Sequence, residues 1–266
     1  MTARKKPPSA KQVATKAAST VATKHRATRP KRATQRAVTL PPPAVARDFS
    51  RRLRTWFRRH GRDLPWRRTR DPYRILVSEL MLQQTQVSRV VDFYHRFLDR
   101  FPTIHHLAES PQEHVLEAWA GLGYYARARN LHALARHVTR DGDGALPCDP
   151  GELRALPGVG AYTAGAVASF AFEARAELVD TNVARVLARV FAPRRNPKRP
   201  RDLAQLWRIA EAVLPARGNT AWTHNQAIME LGALVCTARV RHCARCPVQR
   251  VCATRQAERA AETAAR

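Results

Sequence analysis

The chain has 266 residues and a formal net charge of +26 at pH 7, from 47 Lys and Arg against 21 Asp and Glu. No apolar run approaches the roughly 18 residues that a membrane-spanning helix needs, and no secretory signal pattern opens the sequence, so we expect neither membrane insertion nor secretion. A field of this sign attracts polyanions, which makes nucleic acid the expected partner and a solvated basic surface the alternative.

The first 46 residues differ in composition from the rest. They contain eleven Lys and Arg, no acidic residue and no Phe, Trp or Tyr. Such a segment cannot bury enough apolar surface to offset the entropy lost on ordering, so we predict that 1–46 is a disordered basic tail that touches DNA phosphates. An organelle transit peptide is the alternative. Residues 47–266 keep 36 basic against 21 acidic residues, a net +15, so the remaining chain is basic in its own right.

From Ala44 onward the apolar residues recur at helical spacing and strand alternation is nearly absent, which predicts an all-α fold. The first helix is expected over 48–60 and the next over 74–101, followed by one that opens with Ser110 and Glu113 as a capping box. Further helices are expected over 124–138, 162–173, 183–191, 202–214 and 222–235.

A glycine-rich turn separates a short predicted helix from a longer one in LPGVGAYTAGAVASFAF, residues Leu156–Phe172. Glycines let the backbone approach a phosphate closely, and the amides at the start of the second helix form an anion site. We interpret the turn as a helix–hairpin–helix that holds DNA backbone without reading bases, with a plain helix–turn–helix corner as the alternative. The expected backbone contacts are Leu156, Gly158, Val159 and Gly160.

Two acidic residues are distinguished by their surroundings. Glu79 is the single carboxylate in the apolar run ILVSELMLQQTQV. It is either exposed on an amphipathic helix or buried, and burial would raise its pKa enough to make it a general acid near neutral pH. Asp180 in LVDTNVARVL follows an apolar pair and precedes a helix, a position typical of an N-cap. Capping and catalysis are compatible, because a cap fixes a carboxylate near a helix N-terminus.

Four of the five cysteines fall within seventeen residues, in the pattern C-x6-C-x2-C-x5-C. In a reducing compartment clustered thiols are typical of metal ligands rather than disulfides. The expected ligands are Cys236, Cys243, Cys246 and Cys252, and four thiolates suit either zinc or an iron–sulfur centre. Cys148, in a Pro-rich loop, is expected to be an ordinary thiol.

Seven motifs follow one another along residues 48–254: LPW, SELMLQQTQV, GLGYYARARNL, LPGVGAYTAGA, VDTNVARVL, MELGALVC and the cysteine pattern. In this order they resemble the helix–hairpin–helix DNA glycosylases, and among these the adenine DNA glycosylases of the MutY type. The resemblance implies two α lobes with DNA at the cleft between them. One is a six-helix barrel over 70–177, and the other combines 47–69 with 178–266 and carries a [4Fe–4S] cluster on the four cysteines.

The resemblance also implies roles for single residues. The target base is flipped into the cleft, where Glu79 protonates adenine and Asp180 stabilises the oxocarbenium charge on the sugar. Tyr162 occupies the position where lyase-active relatives have lysine, which implies base excision without strand cleavage. The residues expected to line the adenine pocket or support its carboxylates are Arg62, Trp66, Leu82, Asn182 and Gln226. Those expected to wedge into the duplex are Gln84 and Tyr124.

We therefore expect a monofunctional glycosylase that acts as a monomer on double-stranded DNA with adenine opposite 8-oxoguanine or guanine, cytoplasmic and associated with the nucleoid if bacterial. A thymine or uracil mismatch glycosylase of the same fold is the alternative, which the words LQQTQ and GLGYY disfavour. A DNA-binding protein without catalysis is a third possibility, but it needs neither carboxylate.

The sequence departs from the family pattern in two places. Full-length adenine glycosylases carry a C-terminal domain that recognises 8-oxoguanine, whereas fourteen residues follow Cys252. We expect this domain to be lacking, which bears on the preference for 8-oxoguanine rather than on excision. Thr181 stands where many members have glycine, giving DTN instead of DGN.

Overall fold

The computed structural model describes residues 39–140 and 142–265. These residues form twelve α-helices and three short 3-10 helices, with no strand beyond one isolated bridge between Cys236 and Arg241, so the predicted all-α fold is confirmed. The α-helices are α1 Pro43–His60, α2 Pro72–Leu82, α3 Val87–Arg100, α4 Ile104–Glu109, α5 Gln112–Ala118, α6 Ala126–Arg140, α7 Pro150–Ala155, α8 Ala161–Phe172, α9 Thr181–Phe191, α10 Pro200–Val213, α11 Gly218–Leu234 and α12 Ala253–Ala264. The 3-10 helices are Pro65–Arg67, Cys243–Arg245 and Gln249–Val251. None of the described helices is long and apolar enough to cross a bilayer.

The single helix predicted over 74–101 is in fact two helices, α2 and α3. They are separated by a polar turn in which Gln84 has a φ of 57°, in the left-handed region. Apolar periodicity did not reveal this break, because α3 resumes the spacing of α2. At the other end of α2, Asp71 is the N-cap, and its side chain accepts hydrogen bonds from the amides of Tyr73 and Arg74.

The capping box predicted at Ser110 and Glu113 is wrong. The hydroxyl of Ser110 donates to the carbonyl of His106 at 2.7 Å and so closes α4, whereas α5 begins after Pro111 without a side-chain cap. The proline disfavours a helical conformation for the residue before it, which is why Ser110 is extended and ends one helix instead of starting the next.

Helix α1 begins at Pro43, inside the segment that composition predicts to be a tail. Proline suits the first helical position, where its missing N–H has no intrahelical partner to lose, and Ala46 is already buried. Residues 1–38 of the predicted tail lie outside the described residues.

Two groups of helices build the core. In one group, α1 packs against α10 and α11, and α9 packs against α10, α11 and α12. In the other, α2 packs against α3, α6 and α8, while α6 contacts α4 and α5 and α7 contacts α8. Helix α8 also packs against α11, and nine of its twelve residues are buried. The predicted lobe boundaries at residues 70 and 178 stay a prediction.

Gly165 allows the segment before α9 to lie directly against α8. A Cβ at this position would stand 2.2 Å from the carbonyl oxygen of Glu177, which no side chain could tolerate. This close approach brings the end of the segment, at Asp180, near the start of α8, where Tyr162 lies.

Candidate active site

A cavity of about 1280 Å³ opens where α2, α8, α9 and α11 meet. The predicted site residues that line it are Arg62, Trp66, Glu79, Leu82, Gln84, Gly158, Gly160, Tyr162, Asp180, Asn182 and Gln226. The predicted residues that do not line it are Tyr124, Leu156, Val159 and the four clustered cysteines. Segments far apart in the sequence therefore converge on one space, and both predicted carboxyls face it.

Glu79 lies on α2 and is 3% exposed, so the alternative of a solvent-exposed carboxylate is excluded. The hydroxyl of Tyr162 donates to Glu79 Oε2 at 2.7 Å. Burial raises the pKa of Glu79 to about 7, with the charge of Asp180 adding to the rise and the hydrogen bond from Tyr162 opposing it. A carboxyl with this pKa can donate a proton at neutral pH.

Asp180 is the N-cap of α9, as the sequence predicts, and it faces the cavity as well. Its Oδ1 accepts the amide of Val183 at 2.6 Å and its Oδ2 accepts the side-chain amide of Asn182 at 3.0 Å. Burial raises the pKa of Asp180 above its ordinary value, although these two hydrogen bonds oppose part of the rise, and the helix N-terminus favours an anion. Asp180 is therefore better supplied with groups that stabilise a negative charge than Glu79.

An ion cluster beside the carboxyls was not predicted. Glu230 on α11 is 1% exposed and is bound by two arginines: Arg62 Nε at 2.8 Å and Arg67 Nη2 at 2.9 Å. Burial raises the pKa of Glu230, but the two guanidinium groups outweigh it and lower the pKa to about 2. Arg67 also donates to the side-chain oxygen of Gln226 at 2.8 Å. These bonds hold the side chains of Arg62 and Gln226 in place on the wall of the cavity.

The helix–hairpin–helix is present as α7, a glycine turn and α8. Gly158 has a φ of 73°, and a Cβ there would collide with Asn130, so only glycine fits. Gly160 has open space on its Cβ side and precedes the free amides at the start of α8. Val159 is buried and Leu156 packs on the core, so their side chains anchor the turn, and the predicted contact of these residues with DNA stays a prediction.

The two residues predicted to wedge into DNA both have left-handed backbones. Gln84 is exposed with a φ of 57°, and Tyr124 is 60% exposed with a φ of 50°. Between them lies the buried Arg127, whose guanidinium donates to the carbonyl oxygens of Met81 at 2.8 Å and Gly123 at 2.9 Å. Arg127 thus joins the two turns that carry the wedge residues, a role that the sequence did not reveal.

The four predicted metal ligands are partly buried and close enough to influence one another's ionisation. Within residues 39–140 and 142–265, however, no three His, Cys, Asp or Glu side chains converge closely enough to hold one metal ion. Four cysteine thiols are a donor set that suits zinc and iron–sulfur centres alike. Burial raises the pKa of Cys246 to about 12, so a cationic centre is needed to keep that sulfur as a thiolate.

Helix α9 connects the cysteine loop to Asp180. Arg185 donates to the side-chain oxygen of Asn182 at 2.7 Å and to the carbonyl of Cys236 at 3.0 Å. One turn later, Arg189 donates to Cys236 Sγ at 3.3 Å. Since Asn182 in turn holds Asp180, the loop and the carboxylate are joined by a short chain of hydrogen bonds.

The fold and the cavity define a class of protein: an all-α helix–hairpin–helix protein in which a glycine turn lies beside two carboxyls, one buried and one partly buried. Residues 77–211, just over half the chain, match the family model described as HhH-GPD superfamily base excision DNA repair protein. The adenine DNA glycosylase of Mycobacterium tuberculosis is 45% identical over 225 residues, which are 82% of this chain and 72% of the relative. The chain belongs to the HhH-GPD superfamily and, within it, to the family of the adenine DNA glycosylases.

Two further comparisons show how much of the chain is similar to known proteins in sequence and in structure. The human adenine DNA glycosylase is 44% identical over 218 residues, which are 78% of this chain but 39% of the relative, so the chain spans about two fifths of that protein. The solved structure of a thermostable thymine-DNA glycosylase superimposes with a TM-score of 0.73 at 30% identity, covering 80% of this chain and 98% of the other.

Proposed function

We propose that the protein is a monofunctional adenine DNA glycosylase of base excision repair, which hydrolyses the glycosidic bond of adenine opposite 8-oxoguanine or guanine. The observation that carries the proposal is the buried carboxyl of Glu79, with a pKa of about 7, in the same cavity as Asp180. The relatives named adenine DNA glycosylase, at 44% and 45% identity, support adenine as the base.

The two carboxyls divide the reaction between them. Glu79 donates its proton to a ring nitrogen of the flipped base, which makes the base a neutral leaving group. Asp180 stays anionic and stabilises the positive charge that develops on the sugar as the glycosidic bond breaks. Water then adds to the sugar carbon and leaves an abasic site. The phenol of Tyr162 is no nucleophile for that carbon, and no strand cleavage follows.

The pocket residues serve the two carboxyls in different ways. Both polar atoms of the Asn182 side chain are engaged, by Asp180 and by Arg185, so it supports the carboxylate rather than reading a base. Gln226 has its oxygen occupied by Arg67 and can offer the base its amide hydrogens. Trp66, which is buried, and Leu82 supply apolar surface for the base. Arg62 lines the cavity as a polar group.

We assign a [4Fe–4S] cluster to Cys236, Cys243, Cys246 and Cys252, supported by four partly buried thiols that lie close enough to influence one another's ionisation. When bound, it supplies a structural cross-link of the loop rather than chemistry on the base. The partner is duplex DNA bound by a monomer, and in a bacterial cell the place of action is the nucleoid in the cytoplasm.

Removal of thymine from a mismatch is the second candidate, because a thymine-DNA glycosylase shares the fold at 30% identity. Chromatography of the released base distinguishes the two after incubation with duplexes that carry adenine opposite 8-oxoguanine or thymine opposite guanine.

Treatment with borohydride tests the absence of a lyase step. We expect no covalent adduct between the protein and DNA, and a trapped adduct at any lysine would contradict monofunctional hydrolysis.

Asp180→Asn should slow adenine release by about 10²-fold while lowering stability by about 1 kcal/mol. Asn caps a helix as well as Asp does, so its side-chain oxygen still accepts the amide of Val183, whereas the negative charge and the acceptor for the side-chain amide of Asn182 are lost. Single-turnover kinetics and thermal unfolding of the same preparation check both parts. A variant that unfolds at lower temperature yet excises at the wild-type rate would show that Asp180 is only a cap.

The pH dependence of excision should follow the protonation of Glu79. Its acid form is the active one, so the rate should fall as pH rises through about 7. Tyr162→Phe removes a hydrogen bond that favours the carboxylate, so the pKa of Glu79 should rise and the falling limb should move to higher pH. Single-turnover rates across pH for both proteins test this. If the rate fell at the same pH in the wild type and in Tyr162→Phe, Glu79 would not be the group whose protonation controls excision.

A further inference from the structure

The loop between α9 and α10, residues 192–199, carries positive charge to the edge of the cavity. Its sequence, APRRNPKR, contains four basic residues and no acidic one. Asn196, Pro197 and Lys198 line the same cavity as the two catalytic carboxyls. Neither the motifs nor the comparisons assign this loop a role.

The loop is held in place by Asp202, which is 7% exposed in the first turn of α10. Its Oδ2 accepts the amide of Asn196 at 3.0 Å, and its Oδ1 accepts from Arg195 Nη1 at 3.3 Å. The side chain of Asn196 in turn accepts the amide of Lys198 at 3.0 Å. These bonds engage Arg195 and fix the backbone of Lys198, whose exposed ammonium pairs with no acid in the described part of the chain.

Lys198 differs from the other basic residues of the cavity wall. Arg62 and Arg67 are bound to Glu230, and Arg185 is bound to Asn182. Among the basic side chains that line the cavity in the described residues, only Lys198 makes no hydrogen bond or ion pair through its charged group. It is also the single lysine in residues 39–266, where all other permanent cations are arginines. A lysine ammonium is a compact point charge that binds phosphate without a fixed bidentate geometry.

We propose that Lys198 binds a phosphate of the DNA strand that carries the flipped nucleotide, and that Asp202 positions it to do so. A nucleotide drawn into the cavity keeps a phosphate on each side. The hairpin at Gly158 and Gly160 offers backbone amides to the strand, and Lys198 offers a mobile charge elsewhere on the wall of the cavity. This inference rests on the proposed function, because a flipped nucleotide brings the phosphates to the cavity.

The salt dependence of DNA affinity tests the contact. The probe is a duplex with an uncleavable tetrahydrofuran abasic site opposite 8-oxoguanine, titrated between about 50 and about 200 mM salt. Loss of one phosphate contact lowers the slope of log K against log salt by about 0.9. We expect that decrease for Lys198→Gln and recovery of the slope in Lys198→Arg. The control is Arg208→Gln, which removes one exposed charge from α10 outside the cavity and should leave the slope unchanged.

An unchanged slope in Lys198→Gln, or an equal decrease in Arg208→Gln, would overturn the contact. A second readout is acetylation of the Lys198 amine, quantified on its peptide, which DNA should slow; equal acetylation with and without the duplex would also overturn it. Adenine release by the wild type is measured in parallel. If no adenine is released although Lys198 is protected, the proposed function fails while the phosphate contact stands.

Discussion

Glu79→Gln is expected to slow adenine release by about 10²–10⁴-fold under single-turnover conditions, with little change in DNA affinity. Gln keeps the size of the side chain and can still accept the hydrogen bond from Tyr162, but it has no proton to give to the base. The reaction then has to expel an anionic base, which is a poor leaving group. The measurement is a rapid-quench time course with enzyme in excess over labelled duplex.

The matched control is Glu113→Gln, which changes an exposed glutamate on α5 in the same way. We expect wild-type excision from it. If Glu79→Gln also excised at the wild-type rate, Glu79 would be a buried structural carboxyl and the proton would have to come from another group. The falling limb of the pH profile near 7 should disappear in Glu79→Gln, because the titrating carboxyl is gone.

Glu230→Gln should destabilise the folded protein by about 3 kcal/mol, at the lower end of the 3–5 kcal/mol range for a broken buried ion pair. The variant leaves Arg67, whose side chain is 10% exposed, without its carboxylate, while the half-exposed Arg62 can regain water. For a chain of this size such a loss lowers the melting temperature by about 6–12 °C. Thermal and urea unfolding of both proteins measure it.

The stabilisation that Glu230 contributes should depend on pH. The pKa of Glu230 is about 2 in the folded protein against 4.5 ordinarily, so its contribution is present above pH 4.5 and is lost as pH falls toward 2. The wild type and Glu230→Gln should therefore converge in stability in acid. Glu117→Gln, which breaks the exposed pair with Arg100, is the control and should change stability little. A difference between wild type and Glu230→Gln that persisted at low pH would contradict the ion-pair explanation.

The sequence predicts those parts of the fold that depend on local pattern. Helical spacing located the main helices, and the glycines of the hairpin located the turn before α8. Glu79 stood out as a lone carboxylate in an apolar run, but that pattern left exposure and burial open, and its catalytic role came from the family resemblance. Asp180 was recognisable as a cap from its immediate neighbours. Helix ends were harder to predict. The side chain of Ser110 could bond either to the last turn of α4 or to the first turn of α5, and the structure shows the bond to α4.

Pairings across the fold could not be predicted in the same way. Glu230 gives the same signal as Glu79, a single acid in an apolar helix, yet their pKa values shift in opposite directions. The difference comes from the two guanidinium groups bound to Glu230, those of Arg62 and Arg67, which lie 168 and 163 residues away along the chain. In a sequence with 47 basic residues, nothing marks which ones face a buried acid. Arg127 and Lys198 were missed for the same reason, since a cation has to be placed by the tertiary structure before its role can be read.

The proposed function requires that the protein release adenine from DNA at this cavity. Its most direct test is single-turnover excision on four labelled duplexes: adenine opposite 8-oxoguanine, adenine opposite guanine, thymine opposite guanine and uracil opposite guanine. We expect release of adenine alone, fastest opposite 8-oxoguanine, with abasic DNA left uncleaved. Release of thymine or uracil, with adenine left in place, would contradict it and assign the protein to mismatch repair of pyrimidines.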